Sequence, residues 1–567
     1  MRRLIVHAIY LGLSLIFAGR FFQLLHPTSF AITEGDPMAM NWTLQWVSRA
    51  LVHDPRHLFA GNTFYPYAHA VALSDTMLPL AILNVPVRFV TTNPWVGYDL
   101  LVVLAYYLSC VWGAWLAREV TGSDIAAVWG GIFWGFLFYR VHQIGHLQIL
   151  SCQAIPAAVV ALLRFWKKPG MSSALLFAVI FVAQALVSWY LAFIMAVALF
   201  VIALCHPRRQ TLAGGTMKYY PLIAVIVAAF VVPVALPYRA AFADSTLGER
   251  RQLINSFGDA VHAADFLTPP LPTLVGQRIA DNRHWIWGEN TLFVGFVPLA
   301  LAVVGFLGGM GEMGRIGRKE GIGGKGEKGG MGRIVVTGVA LVVVGYVLAL
   351  GFVSPSLHIA LPLHYLARLF PFVAGLRATQ RFAILIYIGV LLLSACGLAA
   401  LLRNQSSRAQ AITCTIACTL FLLEVFPFTL PVHADNVYQI SAPDRAIASL
   451  QRSRSTPLVV LHLPINYFRE PYPISEAIYM LDSTAHWANV LNGFSGGVPR
   501  GFMERMTTLN RLPDPAAVQL LRDLNVDVVA VHRGEAQNGK LLDFFEHQPW
   551  ATVSPLPTGE YVVILNR

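Results

Sequence analysis

Glu34 and Asp36 flank Gly35 and precede Pro37, just beyond the first long apolar run of the chain. An acidic pair in that place points to chemistry at a membrane surface. Arg140, His142 and His146 form a second group, with the two histidines about one helical turn apart. That spacing could bind a metal if a carboxylate such as Asp36 or Asp75 completed the set, although an interfacial histidine is more commonly just hydrogen-bonded. Glu289 lies among Trp285, Trp287 and Asn290. It reads either as a sugar-contacting carboxylate beside aromatic platforms or as a solvated carboxylate in an interfacial aromatic belt. Arg377 and Arg381, four residues apart, share one helical face at the end of another apolar run. Such arginines receive anions, but they also snorkel to an interface or bind structural lipid.

The elements that must position these residues are membrane helices. Hydrophobic residues make up 56% of the chain and charged residues 13%, with a mean hydropathy of +0.58, far from a soluble balance. The run Leu4 to Leu25 follows Arg2 and Arg3 without a small-residue cleavage pattern, so it reads as a retained first span. Further spans are expected at 98–117, 124–139, 146–163, 171–187, 190–205, 219–237, 291–308, 334–352, 378–402 and 409–430. Ser188, Trp189 and Tyr190 read as a turn separating two short helices within Met171 to Cys205. Arg118, then Arg164, Lys167 and Lys168, then Arg208, Arg209 and Lys218, then Gly308 to Arg333, then Arg403 and Arg408 fall on alternate connections. The positive-inside rule then puts the N-terminus in the cytoplasm and, with about eleven spans, the C-terminal segment outside.

Two apolar stretches do not suit a span. Thr76 to Val90 contains Pro79, Pro86 and Arg88, and Met40 to Val52 mixes Trp42, Leu44, Trp46, Val47 and Leu51 with polar residues; both read as interfacial helices in the first outer loop. The net charge of +11 sits largely in cytoplasmic loops, where topology and anionic lipid account for it, so nucleic acid is not an expected partner. The Gly-rich connection Gly308 to Arg333 reads as a flexible connector. Cys110, Cys152, Cys205, Cys396, Cys414 and Cys418 lie in or at the ends of spans and imply no disulfide framework; Cys414 and Cys418 read as packing residues.

The fold class expected is therefore mainly α: a polytopic transmembrane bundle over 1–430, with outer loops 26–97 and 238–290, and a small extracytoplasmic α/β domain over 431–567. In that domain Ser441 to Gln451 reads as a helix, Leu458 to Leu463 as a strand, Asp514 and Pro515 as the start of a helix to Leu524, and Val526 to His532 and Tyr561 to Leu565 as strands. Ser483, Thr484, His486, Asn492 and Gly493 to Pro499 form a polar, Gly-rich loop that could reach a substrate, or that turn chemistry alone explains. There is no nucleotide-binding loop, nucleophile elbow or H-E-x-x-H motif.

The E-x-D at Glu34 and Asp36, the two interfacial helices behind it and the many spans with an outer C-terminal domain resemble the GT-C superfamily of integral membrane glycosyltransferases. His146 to Gln148, Glu289 before Thr291 to Pro298, and Arg377 to Phe382 are similar to segments of bacterial members. The resemblance implies a polyprenyl-phosphate-linked sugar as donor, a glycan, lipid or protein as acceptor, and a bacterial inner-membrane location. It implies that Asp36 is the base that takes the acceptor proton in an inverting transfer, a role a carboxylate ionised at neutral pH can fill. Asp36 with Pro37 also reads as a turn or helix cap. Glu34 could tune Asp36, orient the acceptor or help hold a divalent cation, magnesium or manganese. Arg377 and Arg381 would receive the leaving lipid phosphate, with Arg239 a weaker choice, and Glu289, His146, Arg140, Asp75 and His486 would line the substrate site. Two other classes fit the same residues: a transporter or flippase of lipid-linked saccharide, and a non-catalytic envelope-assembly protein of the same fold.

Overall fold

The computed structural model describes residues 2–19, 35–206, 214–247, 261–279, 289–317, 330–354, 357–376, 378–428, 439–468, 474–532 and 537–566. Glu34, Trp285, Trp287, Arg377 and most of the Gly-rich connection lie outside these. By contacts the chain divides into two compact units: one of residues 1–22, 100–232 and 250–432, the other of 23–99, 233–249 and 433–567.

The protein is an integral multi-pass membrane protein. Among the described residues, six helices are long and apolar enough to cross a bilayer: Pro94–Thr121, Leu147–Lys167, Gly215–Ala243, Met331–Ala349, Thr379–Leu402 and Ser407–Val425. Leu4–Gly19, Met171–Val187, Trp189–Cys205 and Phe296–Gly311 are apolar but shorter. The segment expected to span at 124–139 is a 13-residue helix, Asp124–Phe136, which rises only about 20 Å and is mostly buried. The break between the two short helices falls at Ser188, whose extended backbone ends one helix while its hydroxyl accepts from Leu191 N–H to cap the next. Helix Phe296–Gly317 runs into the connection expected to be a flexible linker from Gly308.

The centre of the first unit is helix Ala383–Leu402, 17 of whose residues are buried. It packs against Phe296–Gly317 and Gly330–Ala349. Small residues allow this close approach: a Cβ on Gly397 would lie 1.9 Å from the Leu301 carbonyl oxygen.

In the second unit, helices Asp36–His53 and Leu78–Val90, which cover the two segments expected to be interfacial, pack together. Strands β1 (Val459–Leu463), β2 (Asn489–Val490), β3 (Val528–Val531), β4 (Ala551–Pro555) and β5 (Tyr561–Leu565) form one sheet in the order β2-β1-β3-β5-β4. β2, β1 and β3 are parallel, while β5 and β4 form an antiparallel edge. Its core gathers Ile447, Leu458, Val460, Ala488, Val528, Ala530 and Val562. The first loop is stitched to this domain. Trp42 Nε1 donates to Asn62 Oδ1 at 2.9 Å, Asn62 Nδ2 donates to the Ala488 carbonyl at 2.8 Å, and Phe64 N–H donates to the Asn492 carbonyl at 2.9 Å.

Candidate active site

Asp36 stands in the first turn of its helix, half-buried, one residue after Gly35. Gly35 occupies the N-cap position with φ 93° and ψ −53°, and no side chain caps the helix. The capping role open to Asp36 in the sequence is therefore filled by glycine backbone. Only glycine suits this place, because its φ is left-handed and a Cβ would meet the Phe494 ring at 3.1 Å. Asp36 lies where the helix dipole favours an ionised carboxylate.

Phe494 belongs to the Gly-rich loop, and its neighbour Ser495 donates to the Leu73 carbonyl at 3.1 Å. Leu73 leads to Ser74 and Asp75, and Tyr238 fixes that stretch by accepting from Thr76 N–H and donating to the Ser74 carbonyl, both at 2.8 Å. The chain next to Tyr238 continues to Thr246, whose N–H donates to the Val498 carbonyl at 2.9 Å. Three separated segments thus converge, the loop carrying Asp75, the end of helix Tyr220–Ala243 carrying Tyr238 and Arg239, and the loop 493–499, and the last of these reaches Gly35 through Phe494. Neither Tyr238 nor Phe494 stands out in the sequence, because their roles depend on partners more than a hundred residues away.

His486 takes another position. Its side chain is fully buried, with Nε2 2.9 Å from Asp444 Oδ1 and Nδ1 accepting from Ala488 N–H at 3.0 Å. His462 Nε2 lies 3.7 Å from the same carboxylate oxygen, and His462 Nδ1 is 2.9 Å from His532 Nε2. Donor atoms of Asp444, His462 and His486 all lie within 4.8 Å of one another, close enough to surround an ion. The hydrogen bond from Ala488 decides against that reading. A neutral ring that accepts at Nδ1 carries its proton on Nε2, where it donates to Asp444 and leaves no lone pair for a metal. The group is a buried polar relay in which Asp444 of helix Ala442–Arg452 is hydrogen-bonded to His486 and faces His462 of β1 at 3.7 Å. Burial raises the Asp444 carboxyl, but His462, His486 and His532 outweigh it and hold it well below the usual range. Burial depresses His462 to about 3, against the opposing pull of Asp444.

The first unit gathers the other candidates. Helix Asp124–Phe136 ends at Leu137, and short turns Phe138–His142, Gln143–Gly145 and Leu147–Leu150 follow before helix Ala154–Lys167. Glu289 is held from two sides: Arg381 donates through Nε at 3.0 Å and through Nη2, and Gln143 Nε2 donates to the other oxygen at 3.0 Å. The Arg381 guanidinium lies 5.1 Å over the Tyr190 ring. Burial alone would raise the Glu289 carboxyl, but Arg381, by charge and hydrogen bond, with His146 and His142, brings it down to about 2. The His142 and His146 rings are 6.4 Å apart. Arg140, 2% exposed, points into the helical core, donating to Cys152 Sγ and to the Ala105 carbonyl, both at 3.1 Å. Glu289, Arg381, His142 and His146, separate in sequence, form one polar group, and Gln143 joins it unannounced by any motif. Asp36 and Asp75 belong to the other unit from His142 and His146, and among the described residues no set of three metal donors forms around either pair.

No family description matches the sequence, and no curated protein matches it. The fold is similar to two cryo-EM structures of the arabinofuranosyltransferase AftD from Mycobacteria, a mutant enzyme in class 2 and class 1, with TM-scores of 0.51 and 0.52 and identities of 14% and 13%. Each likeness covers 100% of this chain and 42% of the AftD chain, so this protein spans less than half the length of the enzyme it resembles. At such identity the likeness establishes the fold.

Proposed function

We propose that this protein is a membrane glycosyltransferase of the GT-C type that transfers a sugar from a polyprenyl-phosphate donor to a glycan, lipid or protein acceptor. The observation that carries the reading is the setting of Asp36: a carboxylate in the first turn of a helix whose N-cap is the positive-φ Gly35, with the Phe494 ring packed against that glycine. The similarity of the whole chain to an arabinofuranosyltransferase supports it. An acceptor hydroxyl attacks the anomeric carbon from the face opposite the phosphate, and its proton passes to Asp36. The bond from the anomeric carbon to the phosphate oxygen breaks, and the electron pair leaves with the polyprenyl phosphate. Inversion follows from the single displacement.

Arg377 and Arg381 receive the phosphate charge of the leaving group in this reading, with the Arg381 guanidinium held by Glu289, which Gln143 holds in turn. Glu34 tunes Asp36, and Asp75 on its Tyr238-fixed loop lines the acceptor side. The alternate basic connections support a reaction at the outer face, and the family resemblance supports a bacterial inner membrane.

The test is a panel of radiolabelled polyprenyl-phosphate pentoses and hexoses offered to the purified protein with mixed envelope acceptors. The expected result is a labelled glycoside of inverted anomeric configuration with equimolar release of polyprenyl phosphate. Retained configuration contradicts the single displacement. Movement of intact donor across vesicles without release favours the transporter.

A further inference from the structure

The second unit carries two cations that the proposed chemistry does not use. Arg49, near the C-terminal end of helix Asp36–His53, and Arg88, in helix Leu78–Val90, both lie over the ring of Trp487, at 5.1 and 5.2 Å from its centre. Their guanidinium carbons are therefore within about 10 Å of each other, and each charge disfavours the other. Among the described residues neither forms an ion pair. The acid that acts on Arg49, Asp54, has its carboxylate on His57 Nδ1 at 2.8 Å.

The pair is held in place. Gln45 Oε1 accepts from Arg88 Nη1 at 2.8 Å, and Gln45 is itself anchored by donating to the Asn41 side chain at 3.0 Å and the Pro94 carbonyl at 2.9 Å. Trp487 has φ 57°, a costly conformation for a bulky side chain, fixed by its N–H donating to the Ser483 carbonyl at 2.7 Å and by the buried His486 beside it. Two half-buried guanidiniums on one aromatic ring, neither in an ion pair among the described residues, are organised for an anion with several acceptor oxygens.

The surroundings identify its source. Phe89 and Val90, next to Arg88, are 76% and 87% exposed, and Ile82, Leu83 and Val52 add to the apolar surface. Cations bordering bare apolar side chains and a tryptophan suit the level of lipid headgroups. Arg49 stands 13 residues beyond Asp36 on one helix, about 20 Å away at 1.5 Å per residue, so this place is separate from the candidate base. We propose that Arg49, Arg88 and Trp487 form a binding site for the phosphodiester of an anionic glycerophospholipid, which anchors the two loop helices at the membrane surface.

The test measures radiolabelled phosphatidylglycerol retained by the full chain in detergent after gel filtration, against phosphatidylcholine and against inorganic phosphate. The wild type is expected to retain phosphatidylglycerol, with at least a fivefold loss in Arg49→Gln/Arg88→Gln and little retention of phosphatidylcholine. Equal retention by wild type and variant overturns the site. Displacement of the lipid by millimolar inorganic phosphate assigns the arginines to a soluble anion and overturns the lipid assignment. If the glutamine variant does not fold, Arg49→Lys/Arg88→Lys decides. It keeps both charges but loses the planar fork, and retention equal to wild type in that variant overturns the proposal.

Discussion

Replacing Glu289 by Gln removes the charge that balances Arg381 while keeping the shape of the side chain. The Arg381 and Glu289 side chains are 13% and 21% exposed, so the guanidinium would keep its charge with little water to receive it. The fall of the Glu289 carboxyl from 4.5 to about 2 corresponds to roughly 3 kcal/mol in favour of the ionised form. Breaking a fully buried pair from one side costs about 3–5 kcal/mol, and some water reaches this one, so about 2–3 kcal/mol of stability is expected to be lost. Arg381→Gln should cost a similar amount, and the double variant less than the sum, leaving a coupling of about 1.5–3 kcal/mol. Because the folded carboxyl is depressed, the contribution of the pair is complete above pH 4.5 and fades as pH falls toward 2. Reversible unfolding in mixed micelles at pH 7 reads all three variants. A Glu289→Gln protein within about 0.5 kcal/mol of wild type, or additive variants, would refute the reasoning.

Gly35→Ala should destabilise by about 1–2 kcal/mol, since the left-handed backbone and the Phe494 ring at 3.1 Å both oppose a Cβ; activity should fall further, and unchanged activity would show that the approach to Asp36 is not held rigidly. Tyr238→Phe removes both hydrogen bonds to the Asp75 loop and should cost about 1–2 kcal/mol, with faster amide exchange at Thr76 as the specific sign. The buried relay predicts acid lability. His462 stays neutral in the folded domain down to about pH 3 but titrates near 6.5 when unfolded, so stability is complete above pH 6.5 and declines as pH falls toward 3. The depressed Asp444 carboxyl adds a further loss below its ordinary value of 3.8. Hydrogen exchange of peptides covering β1 and β3 should accelerate from pH 6.5 downward after correction for intrinsic rates, and flat protection to pH 4 would contradict this.

Apolar runs made the membrane helices legible, and Ser188, Trp189 and Tyr190 marked a break as an interfacial turn, whereas the cap made by the Ser188 hydroxyl was not read. The strands 459–463, 528–531 and 561–565 were legible as buried apolar runs. β2, with two residues, is too short to show a pattern, and β4 is a half-exposed edge strand. Asp36 and Glu289 could be picked out as carboxylates in unusual company, but the sequence could not show that Glu289 meets Arg381 or that Phe494 covers Gly35. Those contacts join residues 92 and more than 450 positions apart, and local periodicity carries no record of them. Arg140 and His486 illustrate the reverse: each looks like a surface group in the sequence, and each is buried, with both terminal nitrogens of Arg140 and both ring nitrogens of His486 hydrogen-bonded in a core. The Asp444 relay left one trace, a serine three residues before an aspartate at a helix start, which reads as a simple cap.

In the proposed reaction Asp36 accepts the acceptor proton during sugar transfer. The most direct measurement is the transfer rate of wild type and Asp36→Asn on the best donor of the panel, with both proteins matched for unfolding midpoint. Asparagine keeps the shape and the helix start but cannot take the proton, and a loss of at least about 100-fold is expected from removing a general base. Transfer by a folded Asp36→Asn protein at the wild-type rate would contradict the account.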